Sequence, residues 1–368
     1  MTTIPYTAWL GYCRAGFEPD LATEFSALAG ATPTTLVAVP ASGFVVAIFS
    51  GRDAKRVQGK LNWSKMVFAR QCLRAQSTPV VLPTKDRVTP IVAAAKAFLL
   101  AQNVDRISAL QFEYPDTNDG KAQSKLAQTL EVMVGRHLID AGLLPAEDVP
   151  NASPAPRLHV LLTPQREAWL GMVDPRTSSP WRNGIPRLRM PHDAPSRSTL
   201  KLAEAFHVFL GENQERLLRP EMRAVDLGAA PGGWTWQLVH RGLHVTAIDN
   251  GPLKGELVDN ALVRHLKEDG FRYRPKKPLD WMVCDMVEKP QRIAQLVAMW
   301  MREGWTERCI FNLKLPMKKR FDEVVRCRAI IAEAMESRGR TWELEIKQLY
   351  HDREEVTGFC RFVPRAEK

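Results

Sequence analysis

Residues 224–236 most restrict what this 368-residue chain can fold into. An apolar run, Ala224-Val225-Asp226-Leu227, breaks into Gly228-Ala229-Ala230-Pro231-Gly232-Gly233 and resumes as a helix-forming stretch at Trp234-Thr235-Trp236. A strand, a glycine turn and a helix in that order open a crossover unit of a parallel sheet. Glycines in such a turn let the backbone approach a ligand at the carboxyl ends of the strands. A second apolar run, 244–248, ends in Asp249, 21 residues after Gly228. That is near the ~20-residue spacing at which an acidic side chain accepts hydrogen bonds from a ribose diol. Together the two features predict a nucleoside cofactor. A lone glycine cluster can equally be only a tight turn, with Asp249 a surface residue. Pro231 stiffens this turn and bulky Trp234 begins the helix, which leaves little room for a pyrophosphate and argues against a dehydrogenase.

The flanking sequence carries the same pattern. From residue 198 onward, helical stretches at 200–210, 234–241, 292–302 and 322–337 alternate with strand-like runs at 224–227, 244–248, 281–284, 308–312 and 359–363. Such alternation predicts an α/β domain with a mainly parallel, doubly wound sheet. Before it, runs at 35–39 and 43–49 flank a helical stretch at 18–28 whose Leu21, Phe25 and Leu28 share one face. Helical stretches at 91–101 and 121–138 and strands at 107–113 and 158–163 follow, so two α+β modules are expected. Pro175, Pro180, Pro186, Pro191 and Pro195 put the boundary to the α/β domain within 174–197.

Composition excludes several classes. Hydrophobic residues at 45% and charged residues at 25% describe a globular chain, neither disordered nor fibrous. The longest apolar stretch, 91–101, is short and interrupted by Lys96, and the opening MTTIPYTAWLGYC has no basic region before an apolar core, so neither a membrane span nor a leader is expected. Cys13, Cys72, Cys284, Cys309, Cys327 and Cys360 form no CxxC pair and have no histidine at zinc-ligand spacing. They are expected to be reduced packing residues of a cytoplasmic protein, with no metal. The net charge is +10, and residues 1–150 hold 15 basic against 13 acidic residues. The polyanion-binding face is therefore expected in residues 151–368.

The run Asp226-Leu-Gly-Ala-Ala-Pro-Gly-Gly-Trp234 resembles the first cofactor motif of FtsJ-type ribose 2′-O-methyltransferases, which use S-adenosylmethionine. The segments Pro195-Ser-Arg-Ser-Thr-Leu-Lys201, Val283-Cys-Asp-Met286, Phe311-Asn-Leu-Lys-Leu-Pro-Met-Lys-Lys-Arg320 and His351-Asp-Arg-Glu-Glu-Val-Thr357 extend the likeness. Along essentially its whole length the chain resembles the large-subunit ribosomal RNA 2′-O-methyltransferase M family. The resemblance implies a ferredoxin-like domain at 1–72, a THUMP RNA-binding domain at 73–170, a linker at 171–197 and a Rossmann-like methyltransferase domain at 198–368. It implies methylation of a ribose 2′-hydroxyl in 23S ribosomal RNA, a cytidine of the peptidyl-transferase region, with that RNA or its precursor as partner. Cofactor contacts are implied for Ser198, Ala230, Pro231, Gly232, Gly233, Asp249, Asp269 and Asp285, with Asp269 facing the adenine. Ala230 departs from relatives that often carry cysteine there; backbone contact at that position predicts little effect.

A ribose hydroxyl is a poor nucleophile, so its methylation profits from a positioned base and an in-line approach. Lys314 follows the run 308–312, which places it at the carboxyl end of a strand. A lysine is ordinarily charged, with a pKa of ~10.4, so a base role calls for desolvation or a nearby cation, and Lys201 is a candidate for that cation. Asp285 ends another strand at the same edge. The resemblance makes Lys201, Asp285, Lys314 and Glu355 the catalytic set, with Lys314 the proton acceptor; Glu355 is chosen over Glu354 because it directly precedes the Val-Thr pair.

Plainer readings stand beside these. Lys201 with Glu204 can be a solvated pair on a helix, Asp269 and Asp285 can cap turns, Ser198 can cap its helix, and Trp234 and Trp236 read as core. Lys318, Lys319 and Arg320, just beyond Lys314, are candidate phosphate contacts. Arg182, Arg187 and Arg189 and the group Arg272, Arg274, Lys276 and Lys277 read more readily as solvated charge. Rival functions are an RNA base methyltransferase, for which no Asn/Asp-Pro-Pro-Tyr-type motif is present, and a catalytically silent RNA-binding or ribosome-assembly protein. A silent binder has no physical need for two lysines and two acids around one crevice.

Overall fold

A computed structural model describes residues 6–57, 59–147, 154–336 and 339–363. The chain divides into two compact units, residues 1–185 and 186–368. Among the described residues no helix is long and apolar enough to cross a membrane.

The first unit is built on one sheet. Strands β1 (Tyr6–Tyr12), β2 (Thr35–Val37), β3 (Phe44–Ser50), β4 (Gln71–Ala75), β5 (Val80–Val81), β6 (Ala109–Glu113), β7 (Arg157–Thr163) and β8 (Glu167–Val173) lie in the order β2-β3-β1-β4-β8-β7-β6, with β5 paired to β8. Helices α1 (Glu18–Ala29), α2 (Gly51–Val57), α3 (Val88–Ala101), α4 (Asn118–Lys121) and α5 (Ser124–Asp140) accompany it. The sheet runs through from the first α+β stretch to the second by way of β4 and β8, where Arg74 faces Met172 and Ala75 faces Gly171. Leu10, Val46, Leu73 and Trp169 belong to one buried cluster, and Ile91, Leu99, Val134 and Leu158 to another. Glu24 is buried, yet its carboxylate accepts from the backbone N–H groups of Val67 and Phe68 at 2.5 and 2.9 Å. Those bonds tie α1 to the chain entering β4 and leave no buried charge unsolvated.

In the second unit, strands β9 (Arg223–Leu227), β10 (His244–Ile248), β11 (Val263–Leu266), β12 (Leu279–Cys284), β13 (Thr306–Lys314), β14 (Trp342–Lys347) and β15 (Glu355–Phe362) are ordered β11-β10-β9-β12-β13-β15-β14. The first five are parallel, and β15 runs antiparallel to both β13 and β14. Helices α6 (Thr199–Ala205), α7 (Gln214–Leu217), α8 (Gly233–Val239), α9 (Pro290–Arg302) and α10 (Arg320–Glu336) surround the sheet, and α6 widens into a π turn over Phe206–Leu210. This is a Rossmann-like α/β unit. From β9 the chain steps outward through β10 and β11, then returns to β12 beside β9, so the strand order reverses between β9 and β12. Ligands of open α/β sheets bind at that reversal, outside the carboxyl ends.

Several elements differ from their sequence reading. The run 35–39 pairs only to Val37, and the helical stretch 121–138 splits into α4 and α5. The helix expected over 322–337 starts two residues earlier, at Arg320, and Ser337 lies outside the described residues. Strands β1, β4 and β8 are buried on both faces along most of their length, which removes the period-two alternation that marks a half-buried strand.

Phe311 of β13 faces Gly358 of β15 across the ladder, and a Cβ on Gly358 would lie 2.3 Å from the fully buried Phe311 ring. Gly358→Ala is expected to destabilise the second unit by about 1–3 kcal/mol, the usual cost of overpacking. A urea unfolding midpoint equal to wild type would show instead that the ring yields freely.

Candidate active site

Strand register places the site. Leu266, Ile248, Leu227, Cys284 and Phe311 align in one row across β11, β10, β9, β12 and β13. The residues one step further along, Asp249, Gly228, Asp285 and Asn312, therefore share the carboxyl edge of the sheet. Across the antiparallel pair, Asn312 faces Thr357 and Lys314 faces Glu355.

At this edge four charged side chains and one amide meet. Lys201, from α6, places Nζ 2.5 Å from Glu355 Oε2 and 3.3 Å from Asp285 Oδ1. Lys314 Nζ stands 3.6 Å from the other oxygen of Glu355. Asn312 donates from Nδ2 to Asp285 Oδ1 at 2.9 Å and to Glu355 Oε2 at 3.1 Å. Its Oδ1 accepts from the Thr357 hydroxyl at 2.8 Å, which orients the amide. Thr357 Oγ1 is also 2.9 Å from both oxygens of Asp352. Burial pushes the Asp352 carboxyl well above the usual range, with the Leu349 N–H, which donates to it at 2.9 Å, opposing the rise.

The two lysines differ in surroundings. Burial works to lower the pKa of Lys201, but the charges of Asp285 and Glu355 outweigh it and hold the ammonium above its ordinary value. Burial raises Asp285 despite the opposing pull of Lys201. Both shifts go up for different reasons: attraction prevails at the lysine and desolvation at the carboxyl. The Lys201 side chain is 16% exposed and that of Lys314 36%, so Lys314 is the more accessible amine. Glu204 is not a partner of Lys201. It is buried and accepts from the backbone N–H groups of Tyr350 and His351 at 2.8 and 3.0 Å and pairs with His351 Nδ1 at 2.6 Å, joining α6 to the turn before β15. Glu354 points elsewhere, pairing with Arg320 at 2.9 Å.

The glycine turn borders this cluster. Gly228 has φ +82°, and a Cβ there would lie 2.6 Å from Met286 Cγ, so only glycine fits. The Ala230–Pro231 bond is cis. Asp249 accepts from Ala230 N–H at 3.0 Å and from Gly251 N–H at 2.7 Å, tying the end of β10 to the turn. Gly232 lies under Leu257, and Gly233 under Ser198. Ser198 makes no helix cap; its Oγ is 2.6 Å from Ser196 Oγ. Asp269 has a 51% exposed side chain and accepts from Phe271 N–H at 2.8 Å, a turn cap, with neighbouring Gly270 against Met286. Trp234 and Trp236 are buried core. Lys318 and Lys319 are exposed beyond β13, whereas Arg320 is engaged by Glu354. Asn312 and Met286 escaped the sequence reading. Asn312 is two residues before Lys314 on the same strand face, a parity signal, and Asn312 and Met286 lie within the segments 311–320 and 283–286 that carry the family resemblance.

Asp226 lies one step inside this row, opposite Ala247 and Val283. It is buried, Thr235 Oγ1 donates to its Oδ2 at 2.7 Å, and its Oδ1 has no partner. Burial raises its pKa to about 7, with the charges of Asp285 and Asp249 adding to the rise and Thr235 opposing it. A carboxyl raised in the folded state binds its proton more tightly there than when unfolded. Its stabilising contribution is complete below about pH 4 and is lost as pH rises through about 7. Relative to Asp226→Asn, the ligand-free wild type is expected to lose on the order of 1.4 kcal/mol of stability per pH unit across that window. Guanidinium unfolding at a series of pH values measures this; parallel stability curves would contradict it.

Comparison with known proteins supplies the family. Residues 194–324 match the model of the FtsJ-like methyltransferase family, residues 86–174 that of the ribosomal RNA large subunit methyltransferase M N-terminal region, and residues 7–73 that of the RlmM ferredoxin-like domain. A protein of Thauera aminoaromatica named ribosomal RNA large subunit methyltransferase M is 48% identical over 95% of this chain and 94% of its own length. Proteins of the same name from Methylococcus capsulatus and Xanthomonas oryzae are 46% and 44% identical, over 96% and 95% of this chain and 97% of their own lengths. With the glycine turn, the lysine and carboxylate cluster and this full-length identity in hand, the chain belongs to the ribosomal RNA large subunit methyltransferase M family.

Proposed function

We propose that this chain transfers the methyl group of S-adenosylmethionine to a ribose 2′-hydroxyl of 23S ribosomal RNA, at a cytidine of the peptidyl-transferase region, with Lys314 as proton acceptor. The observation that carries the reading is the cluster Lys201, Asp285, Asn312, Glu355 and Lys314 at the strand-order reversal, beside the glycine turn. In the same reading residues 73–170 are a THUMP module that captures RNA, and the protein works in the cytoplasm.

The residues present fit such a cofactor. Asp226, two residues before Gly228 of the turn, keeps an unpartnered, buried carboxyl oxygen. The turn Ala230, Pro231, Gly232 and Gly233 brings backbone to the same edge, with Ser198 against it, and Asp249 and Asp269 offer carboxylates for hydroxyl and adenine groups. When bound, S-adenosylmethionine supplies a methyl group on a cationic sulfur that an oxygen nucleophile can displace.

The chain's own groups divide the remaining work. Lys201 stays protonated and keeps Asp285 and Glu355 together. Asn312 fixes both carboxylates through its amide, whose orientation Thr357 sets. Glu355 spans the two lysines and so positions Lys314. Lys314 Nζ takes the hydroxyl proton as the oxygen bonds to carbon, and its partial exposure lets that proton pass to water. Lys318 and Lys319 offer charge to the phosphates flanking the ribose.

Lys314→Ala is expected to lower methyl transfer to unmethylated large-subunit RNA by about 10²–10⁴-fold with cofactor affinity retained. Label from S-adenosylmethionine should lie at a single alkali-resistant linkage, since only a blocked 2′-oxygen prevents alkaline cleavage there. Label in a base would favour base methylation, and tight RNA binding with no product would favour a silent binder.

A further inference from the structure

The first unit holds a cavity of about 440 Å³ whose lining includes Trp9, Leu61, Trp63, Arg74, Gln102 and Met172. Register builds part of its wall: Trp9 of β1 faces Arg74 of β4, and Arg74 faces Met172 of β8, so indole, guanidinium and thioether form one row across three adjacent strands.

Two buried polar atoms in this lining lack partners, and one cation beside them has no ion pair among the described residues. The Trp9 side chain is more than nine-tenths buried, and its indole N–H meets no acceptor. Gln102 has a buried amide oxygen that meets no donor. Arg74 is half-buried, burial lowers its pKa, and no carboxylate offsets that effect. Asp174, which also lines the cavity, is taken by Arg176 at 2.6 Å. Among the described residues Arg74 has no ion pair. A buried donor and acceptor left unsatisfied are costly unless a ligand completes them, and the half-exposed Arg74 guanidinium stands beside them with no carboxylate partner.

The ligand's chemistry follows from what is missing. It must place a flat or apolar body against Trp9, Trp63, Leu61 and Met172, present an acceptor and a donor on one edge, and carry negative charge toward Arg74. A nucleotide unstacked from a single strand meets all three conditions, because each base has a π-face and a mixed donor and acceptor edge, and its phosphate carries the charge. We propose that this cavity binds one unstacked nucleotide of the substrate RNA, away from the methylated ribose, through Arg74, the Trp9 N–H and Gln102. The inference rests on RNA being the substrate.

The test uses the full chain with a short fluorescein-labelled single-stranded oligoribonucleotide and compares wild type with Arg74→Met and Trp9→Phe, each keeping the apolar bulk while deleting the polar group. Arg74→Met is expected to weaken binding about tenfold, equivalent to ~1.4 kcal/mol, and Trp9→Phe to weaken it by a smaller factor, with S-adenosylmethionine affinity unchanged in both. If Arg74→Met fails to fold, Trp9→Phe and a crosslink decide: a 4-thiouridine-substituted oligoribonucleotide on wild type should attach at Trp9 or Trp63. Unchanged oligoribonucleotide affinity in the folded variants with no crosslink there overturns the proposal. Loss of 5′-cytidine monophosphate binding in Arg74→Met with oligoribonucleotide affinity unchanged also overturns it, in favour of a free-nucleotide site. Wild type that methylates 23S RNA while both variants bind like wild type sinks this inference alone. Wild type that neither binds nor methylates RNA sinks the substrate assignment as well.

Discussion

The catalytic edge depends on the ammonium of Lys201 held between Asp285 and Glu355. These side chains come from α6, from the end of β12 and from the start of β15, and none of the three elements orders the site alone. Two largely buried carboxylates this close repel unless a cation sits between them. Removing Lys201 would strand both charges, which is why breaking such a pair costs more than forming it gains. The surrounding polar groups are arranged to keep the cation in place: Asn312 binds both acids, Thr357 orients Asn312, and Glu204 anchors α6 to the turn leading into β15. Lys314 shares only one oxygen of Glu355 and stays accessible. The same four-charge set therefore contains one amine held between two carboxylates and one left accessible.

How much of this was legible in the sequence follows from the range of each interaction. The glycine turn is a local event, and its order of strand, turn and helix located the crevice from residues 224–236 alone. The alternation of helices and strands announced the parallel sheet, because crossover connections leave a periodic trace. Strands β1, β4 and β8 left none, since burial on both faces erases alternation, and the edge strands β11 and β14 are short or polar and lack an apolar signature. In the site, Lys201 and Glu355 are separated by 154 residues, and only the motif resemblance joined them before the fold did. Asn312 gives little signal by itself, because an asparagine within an apolar strand suggests no chemistry until its two carboxylate partners are placed. Glu354 and Glu355 illustrate strand parity: adjacent residues at a strand start face opposite ways, so one meets the lysines and the other meets Arg320.

The two units divide physical tasks in a way composition only hinted at. The second carries most of the positive charge and the exposed Lys318 and Lys319 next to the crevice. The first carries a continuous sheet and a cavity with two unsatisfied buried polar atoms, on Trp9 and Gln102. Charge attracts RNA of any sequence, whereas a shaped cavity discriminates.

The central claim is that Lys314 accepts the proton, and chemical rescue tests it most directly. Single-turnover methyl transfer by Lys314→Ala would be followed with and without added ethylamine, using tetramethylammonium at equal ionic strength as the control cation. The account predicts a large loss of rate that ethylamine restores in proportion to its free-base concentration and that tetramethylammonium leaves in place. A Lys314→Ala rate equal to wild type, or equal rescue by a cation that cannot accept a proton, would contradict it and leave Lys314 with at most an electrostatic role.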